Sequence, residues 1–132
     1  MVETVAQANA IAAQTLLQIA ADSEIDDLLR INLQSNAIKL AGSHTDDLPE
    51  SVMPDFVVES DLGAWSYTEA GDVRTYTSCA GNDQWRCSIS NAQDKSDLEL
   101  LAEIKVSAIV QFSIAQTRVL SAKFKETQSN TD

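Results

Sequence analysis

Apolar residues at the start of the chain recur every three or four positions, the spacing of one face of a helix. In residues 2–21 these positions are Val5, Ala8, Ala12, Leu16 and Ile19. In residues 24–41 they are Ile25, Leu28, Leu29, Leu33, Ala37 and Leu40. The pattern predicts a helical segment over residues 1–41 that contains two amphipathic helices.

The second helix has recognisable end signals. Ser23, with Asp26 three residues later, resembles an N-cap followed by first-turn acids, and Gly42 suits the left-handed position after the last turn. Asn32 and Asn36 lie close to the apolar stripe. Because asparagine prefers the surface, we expect solvated boundary positions there rather than contact with a polar partner or a pocket.

The pattern changes at Gly42. Every glycine, proline, tryptophan, tyrosine and cysteine lies between Gly42 and Cys87. Residues 43–55 hold two prolines and four acidic residues, which oppose regular structure, so we predict an acidic linker over 42–55.

A β meander is predicted over residues 56–92. It begins at Phe56, and three runs rich in aromatic residues, Thr or Val follow at 64–68, 73–78 and 85–90. Glycine-containing turns separate these runs, which favours three or four antiparallel strands. So small a sheet must bury one face against helices.

The C-terminal part contains no glycine or proline after a capping-box pattern formed by Ser96 and Glu99. Its apolar residues at helical spacing are Leu101, Ile104, Ala108, Phe112, Ala115, Val119 and Ala122. A period-two alternation over 104–114 also fits a strand. We prefer a long helix over 96–126, because the cap is good and no turn interrupts the run, with a frayed tail at 127–132.

Together these elements predict one α+β domain over residues 1–132. Two N-terminal helices precede a central three- or four-strand antiparallel meander, and the long C-terminal helix packs on the N-terminal helices. At 132 residues, the chain is long enough for a single hydrophobic core and too short for a second full domain.

The net charge of −11 changes the picture of partners. Residues 42–95 contain ten acidic and three basic residues, so −7 of that charge lies in the middle. This balance argues against direct binding to nucleic acid or to anionic lipid, both of which need clustered Lys and Arg. No apolar run approaches the length of a membrane span and the first residues carry no basic signal region, so we expect a cytoplasmic protein.

The chemistry-bearing residues are few. His44 beside acidic residues in a loop is more typical of a solvated turn than of a general base. Cys79 and Cys87 flank a turn signal, so they either pair across a hairpin or remain two buried thiols. Neither these residues nor the acids at 22–27 have the spacing of a zinc or EF-hand site. We therefore predict no enzyme activity, no metal and no cofactor.

An interaction surface is the best functional hypothesis. Large aromatics on the predicted sheet have the composition either of an interface or of a small core. We expect a basic protein partner, as for chaperone, inhibitor or immunity proteins, and a homo-oligomer. The predicted partner-binding residues are Asp46, Asp47, Glu50, Asp55, Glu59, Asp61, Trp65, Tyr67 and Trp85. The alternatives are a structural subunit of a larger homo-oligomeric assembly, and a small-ligand binder or enzyme with a site near the Trp/Tyr cluster.

Overall fold

The order of elements follows the predicted α+β plan. A computed structural model describes residues 2–42, 53–78 and 85–129, with side chains from residue 4 to residue 122 within those ranges. Its helices and strands are α1 Val2–Ala20, α2 Asp27–Leu40, α3 Asp55–Glu59, β1 Trp65–Ala70, β2 Val73–Ser78, β3 Arg86–Ser90 and α4 Asp97–Ser129. Short 3₁₀ turns lie at Leu62–Ala64 and Ala92–Asp94.

The sheet is an antiparallel meander in the order β1-β2-β3. Tyr76 at the centre of β2 is paired with Tyr67 on β1 and with Cys87 on β3. Gly71 joins the first two strands at φ +66°, a left-handed conformation that glycine adopts without steric cost. The α+β class and the antiparallel meander are confirmed, with three strands in the described part of the chain.

Residues 56–59, which we assigned to the start of the meander, are helical instead. They belong to α3, which begins after the N-cap Pro54 and ends at Glu59, before the C-cap Ser60. Val57 is fully buried, and the Phe56 ring lies 5.6 Å from the Trp65 ring. A short apolar run does not distinguish a strand from a helical turn, and here packing selects the turn. The predicted linker lies mostly outside the described residues.

The long C-terminal helix is confirmed over the alternative strand. Ile104, Ala108 and Ile109 are buried, and α4 packs against α1, α2 and β3. Because neighbours cover the helix on several sides, apolar residues occupy most of its circumference, and this produces an alternating stretch in the sequence. The helix continues to Ser129, past the predicted end at 126.

Two of the predicted helix-end signals are confirmed and one is wrong. Gly42 has φ +76°, and Ser96 Oγ accepts a hydrogen bond from the Glu99 amide at 3.2 Å. The N-cap of α2 is Asp26 rather than Ser23, and its carboxylate accepts from the Leu28 amide at 3.1 Å. The helix begins later than predicted, and Arg30 of α2 donates to the carbonyl oxygens of Ala20 at the end of α1 and of Asp22 and Ile25 in the connection.

The contact between α2 and α4 contains a buried polar pair, contrary to the prediction for the two asparagines. Asn36 is fully buried, and its Nδ2 donates to Ser113 Oγ at 2.8 Å. One turn away, Asn32 Nδ2 donates to Thr117 Oγ1, also at 2.8 Å. Buried amides need such partners, and the hydroxyls that supply them are far away in the sequence.

Candidate functional site

Three predicted partner-binding acids lie together around α3. Asp55, Glu59 and Asp61 are all exposed, and we call these three residues the acidic surface. Asp55 forms an ion pair with Lys39 of α2, with 3.1 Å between Nζ and Oδ1. Within the described ranges, Glu59 and Asp61 have no ion-pair partner within 4 Å. Asp46, Asp47 and Glu50 lie outside the described residues.

A buried lysine holds the acidic surface in place. Lys105 of α4 is fully buried, and its Nζ donates to the carbonyl oxygens of Val57 and Val58, both at 3.0 Å. Asn9 of α1 also donates to the Val58 carbonyl, at 3.0 Å. The last carbonyls of a helix have no hydrogen-bond partner within the helix, and here the two side chains supply donors for those of α3.

Burial lowers the pKa of Lys105 to about 8, although the nearby Asp61 carboxylate favours the charged form. A lysine with a lowered pKa can act as a nucleophile. Here the amine is enclosed by protein and is already bonded to two carbonyls, so the arrangement fits a structural anchor. The sequence signal for this anchor is a single lysine between Ile104 and Val106 in an apolar helical stretch.

The two tryptophans of the predicted surface are core residues. Trp65 and Trp85 are 5% and 7% exposed, which fits the small-core interpretation of the aromatic group. Trp65 Nε1 donates to Ser60 Oγ at 3.2 Å, directly after α3. In this position the tryptophan fixes the chain between the acidic surface and the sheet.

Tyr67 is the accessible aromatic of the predicted set. Tyr67 is 50% exposed, and the Arg74 guanidinium lies 4.3 Å from the centroid of the Tyr67 ring. The neighbouring Tyr76 ring lies 5.3 Å away, and Arg74 also pairs with Glu69 at 3.0 Å. Arg74 is the one basic residue among residues 53–78, and its contacts with Tyr67 and Glu69 leave the acidic surface without a cation from this part of the chain.

A groove with a volume of about 590 Å³ lies elsewhere, between α1, β3 and α4. Its walls are Ile11 and Thr15 on one side and β3 on the other, and α4 forms its floor. The β3 and α4 residues that line it are Arg86, Cys87, Ser88, Ile89, Leu98, Glu99, Ala102, Glu103, Val106 and Ser107, with Lys95 at the rim. Sequence reasoning missed this groove because three distant segments build it.

Some of the charged groups in the groove form ion pairs, and others do not. Lys95 Nζ lies 3.1 Å from Glu103 Oε2, whereas Arg86 and Glu99 form no ion pair with any described residue. Cys87 is a free, half-buried thiol, and burial raises its pKa, so the sulfur is neutral at physiological pH. Of the two alternatives given for Cys87, the free thiol is therefore the one observed, and Cys79 lies outside the described ranges.

No described group of three or more His, Cys, Asp or Glu residues is arranged to hold a metal ion. Among residues 2–42, 53–78 and 85–129, none of the helices combines the length and apolarity needed to cross a membrane. His44 lies outside these ranges. Comparisons with protein-family models, with characterised proteins and with solved structures found no match.

Proposed function

We propose that this chain is a non-enzymatic interaction protein whose acidic surface binds a basic protein partner. The observation that carries the proposal is the state of Glu59 and Asp61, which are exposed and lack an ion-pair partner among the described residues. Exposed carboxylates that form no ion pair leave a negative potential, which attracts cationic groups and accelerates their association.

The hydrogen bonds that hold the acidic surface in place also favour a binding function. Lys105, Asn9 and Trp65 fix the chain around α3 by hydrogen bonds. A preformed surface loses little conformational entropy on binding, so more of its interaction energy appears as affinity. Asp46, Asp47 and Glu50 precede Asp55 in the sequence and stay part of the predicted partner-binding set, and Tyr67 supplies an exposed aromatic side chain.

A structural role in a homo-oligomeric assembly is the second candidate. The observation that favours it is the exposure of neighbouring apolar residues in the second half of α4, where Val119 is 54% exposed and Leu120 is also exposed. Such residues are available for contacts between subunits. Sedimentation equilibrium would distinguish the candidates, because a large assembly favours the structural role.

The electrostatic proposal is tested with a charge-reversed pair. Immobilised protein captures its partner from the native host, and mass spectrometry identifies it. Glu59→Lys/Asp61→Lys is then compared with Asp22→Lys/Glu24→Lys, which makes the same charge change at the exposed α1–α2 connection. We expect the first variant to slow association at least tenfold at low salt, and the control to have a much smaller effect.

Salt provides the second arm of this experiment. The difference in association rate between the two variants should shrink at about 1 M salt, where the Debye length falls to about 3 Å. Equal association rates for wild-type protein and Glu59→Lys/Asp61→Lys at low salt would overturn the proposed function.

A further inference from the structure

One edge of the sheet carries backbone groups that lack partners in the described chain. The Asn91 amide donates to the Asp72 carbonyl at 2.8 Å, so this pair continues the β2–β3 ladder, one residue beyond the Val73–Ser90 pair, as a hydrogen-bonded rung. Hydrogen-bonded and non-hydrogen-bonded pairs alternate along an antiparallel ladder. The register therefore directs the amide and carbonyl of Arg86, Ser88 and Ser90 away from β2.

The Arg86 backbone is already paired, in a manner that imitates a neighbouring strand. Gln111 Nε2 donates to the Arg86 carbonyl at 2.8 Å, and Gln111 Oε1 accepts from the Arg86 amide at 3.4 Å. At Ser88, two residues further along, no described group bonds to the backbone amide or carbonyl. The amide side chain thus closes one end of the edge, and the edge beyond it stays open.

The open edge borders the groove. Ser88 lines it from β3, while the α4 floor presents Leu98, Ala102 and Val106 and the α1 wall presents Ile11. A strand added to β3 would lie about 4.8 Å from it, over this floor. Its alternate side chains would point to the apolar residues of α4, as those of β3 already do.

The charge at one end of the groove indicates the character of the occupant. Glu99 lines the groove near the start of α4 and forms no ion pair with any described residue, whereas Lys95 is paired with Glu103 and Arg86 lies on β3. A segment that enters near Glu99 gains from a Lys or Arg opposite this acid. Main-chain pairing supplies affinity in strand addition, while pockets for alternate side chains supply specificity.

We propose that the groove binds an extended segment of the partner as a fourth strand on the edge of β3. The segment carries apolar residues at alternate positions and a basic residue towards Glu99. This inference rests on the proposed function in taking the segment from a basic protein, but its site lies apart from the acidic surface, so the two can fail separately.

The test uses an acetylated, amidated peptide of alternating valine and threonine with a lysine at each end. Hydrogen exchange of the full-length protein is followed by NMR with and without the peptide. We expect the Ser88 amide to exchange rapidly in free protein and at least tenfold more slowly with peptide at saturation. The Ile89 amide, directed towards β2, serves as the internal control and should be protected in both states.

Methylation of the peptide's backbone nitrogens separates the contribution of main-chain hydrogen bonds from that of the side chains. N-methylation of one alternate set of residues keeps every side chain and charge but removes the donors that face β3. We expect one of the two methylated sets to abolish protection of Ser88. If both methylated peptides protect Ser88 as well as the parent peptide does, strand addition is overturned.

Variants of the protein provide matched pairs. Ser88→Pro removes the outward amide, which proline at an exposed edge permits, while Ser88→Ala keeps it. Ile11→Asp places a charge in the groove, and Leu17→Asp places one on the same helix outside the groove, at nearly equal exposures of 43% and 44%. Ser88→Pro and Ile11→Asp should weaken peptide binding at least tenfold, and their partner variants less than twofold.

Three outcomes would overturn the inference. They are the absence of any peptide-dependent protection at Ser88 at millimolar peptide, equal binding by Ile11→Asp and Leu17→Asp, and protection that rises with protein concentration alone, which would assign the edge to a second copy. If Ser88→Pro does not fold, the Ile11 and Leu17 pair still decides. Partner capture that is lost with Glu59→Lys/Asp61→Lys but kept with Ile11→Asp would remove the groove proposal and leave the proposed function standing.

Discussion

Lys105 Nζ lies 3.0 Å from the carbonyl oxygen of Val57, and both residues are fully buried. The contact joins the N-terminal half of the longest helix to the central residue of the shortest one. The Val57 carbonyl also accepts from Ser60 Oγ at 3.3 Å, and the contact with Lys105 places a titratable amine inside the protein.

Replacing Lys105 with methionine should make stability depend on pH in a different way from that of the wild type. The folded-state pKa of Lys105 is about 8, below the unfolded value of about 10.4. Between these values the unfolded chain binds more protons, so the unfolding free energy of the wild type rises with pH over this window. The Lys105→Met variant lacks this contribution.

Urea denaturation of both proteins at pH 7.5 and pH 10 measures the effect. We expect the stability of wild type relative to Lys105→Met to be greater at pH 10, where the neutral amine still donates to both carbonyls without the cost of a buried charge. A stability difference that is equal at the two pH values would contradict the burial of this amine.

The buried pair of Asn36 and Ser113 leads to a second prediction. Replacing one partner leaves the other polar group buried without its 2.8 Å contact, which typically costs about 1–3 kcal/mol. Asn36→Ala and Ser113→Ala should each destabilise the protein by about this amount. The double variant should lose less than the sum, with a coupling energy of at least about 0.5 kcal/mol by chemical denaturation. Strictly additive losses would show that the two side chains do not interact.

The sequence predicted the elements more successfully than the contacts between them. The three strand runs and the C-terminal helix were recoverable because periodicity and glycine turns act over short distances. Asn32 and Asn36 were misplaced because their partners, Thr117 and Ser113, are more than seventy residues away. A polar residue beside an apolar stripe has the same local pattern whether it meets water or a distant hydroxyl.

Some parts of the candidate site were likewise predictable from the sequence, and others were not. The exposed acids around α3 were predicted from composition, because charge is a property of the chain itself. Trp65 and Trp85 belong to the core, since the sheet is small and its large side chains are needed to fill the space against the helices. The groove depends on the relative placement of α1, β3 and α4, which no local pattern specifies.

Two positions on α4, one in its first half and one in its second half, should respond very differently to truncation of side chains. Ile109 is fully buried, so Ile109→Ala should cost about 2–5 kcal/mol through lost contacts and the cavity left behind. Val119 is more than half exposed, and Val119→Ala should change stability by less than about 0.5 kcal/mol. Thermal or urea denaturation measures both. A large loss from Val119→Ala that grows with protein concentration would instead support contacts between subunits in this part of the helix.

Gln111 provides the last prediction, because its side chain completes the β3 edge at Arg86. Gln111→Leu keeps an apolar body of similar size but removes the acceptor for the Arg86 amide and one of the two donors to the Arg86 carbonyl, the other being Ser107 Oγ at 3.3 Å. We expect the Arg86 amide to exchange as rapidly as the Ser88 amide in this variant, with a stability loss of about 1 kcal/mol. Gln111→Glu keeps an acceptor for the amide but brings a carboxylate to the carbonyl, so protection at Arg86 should be intermediate. If the Arg86 amide stays protected in Gln111→Leu, another group must cover this edge, and the boundary assigned here to the open part of β3 would be wrong.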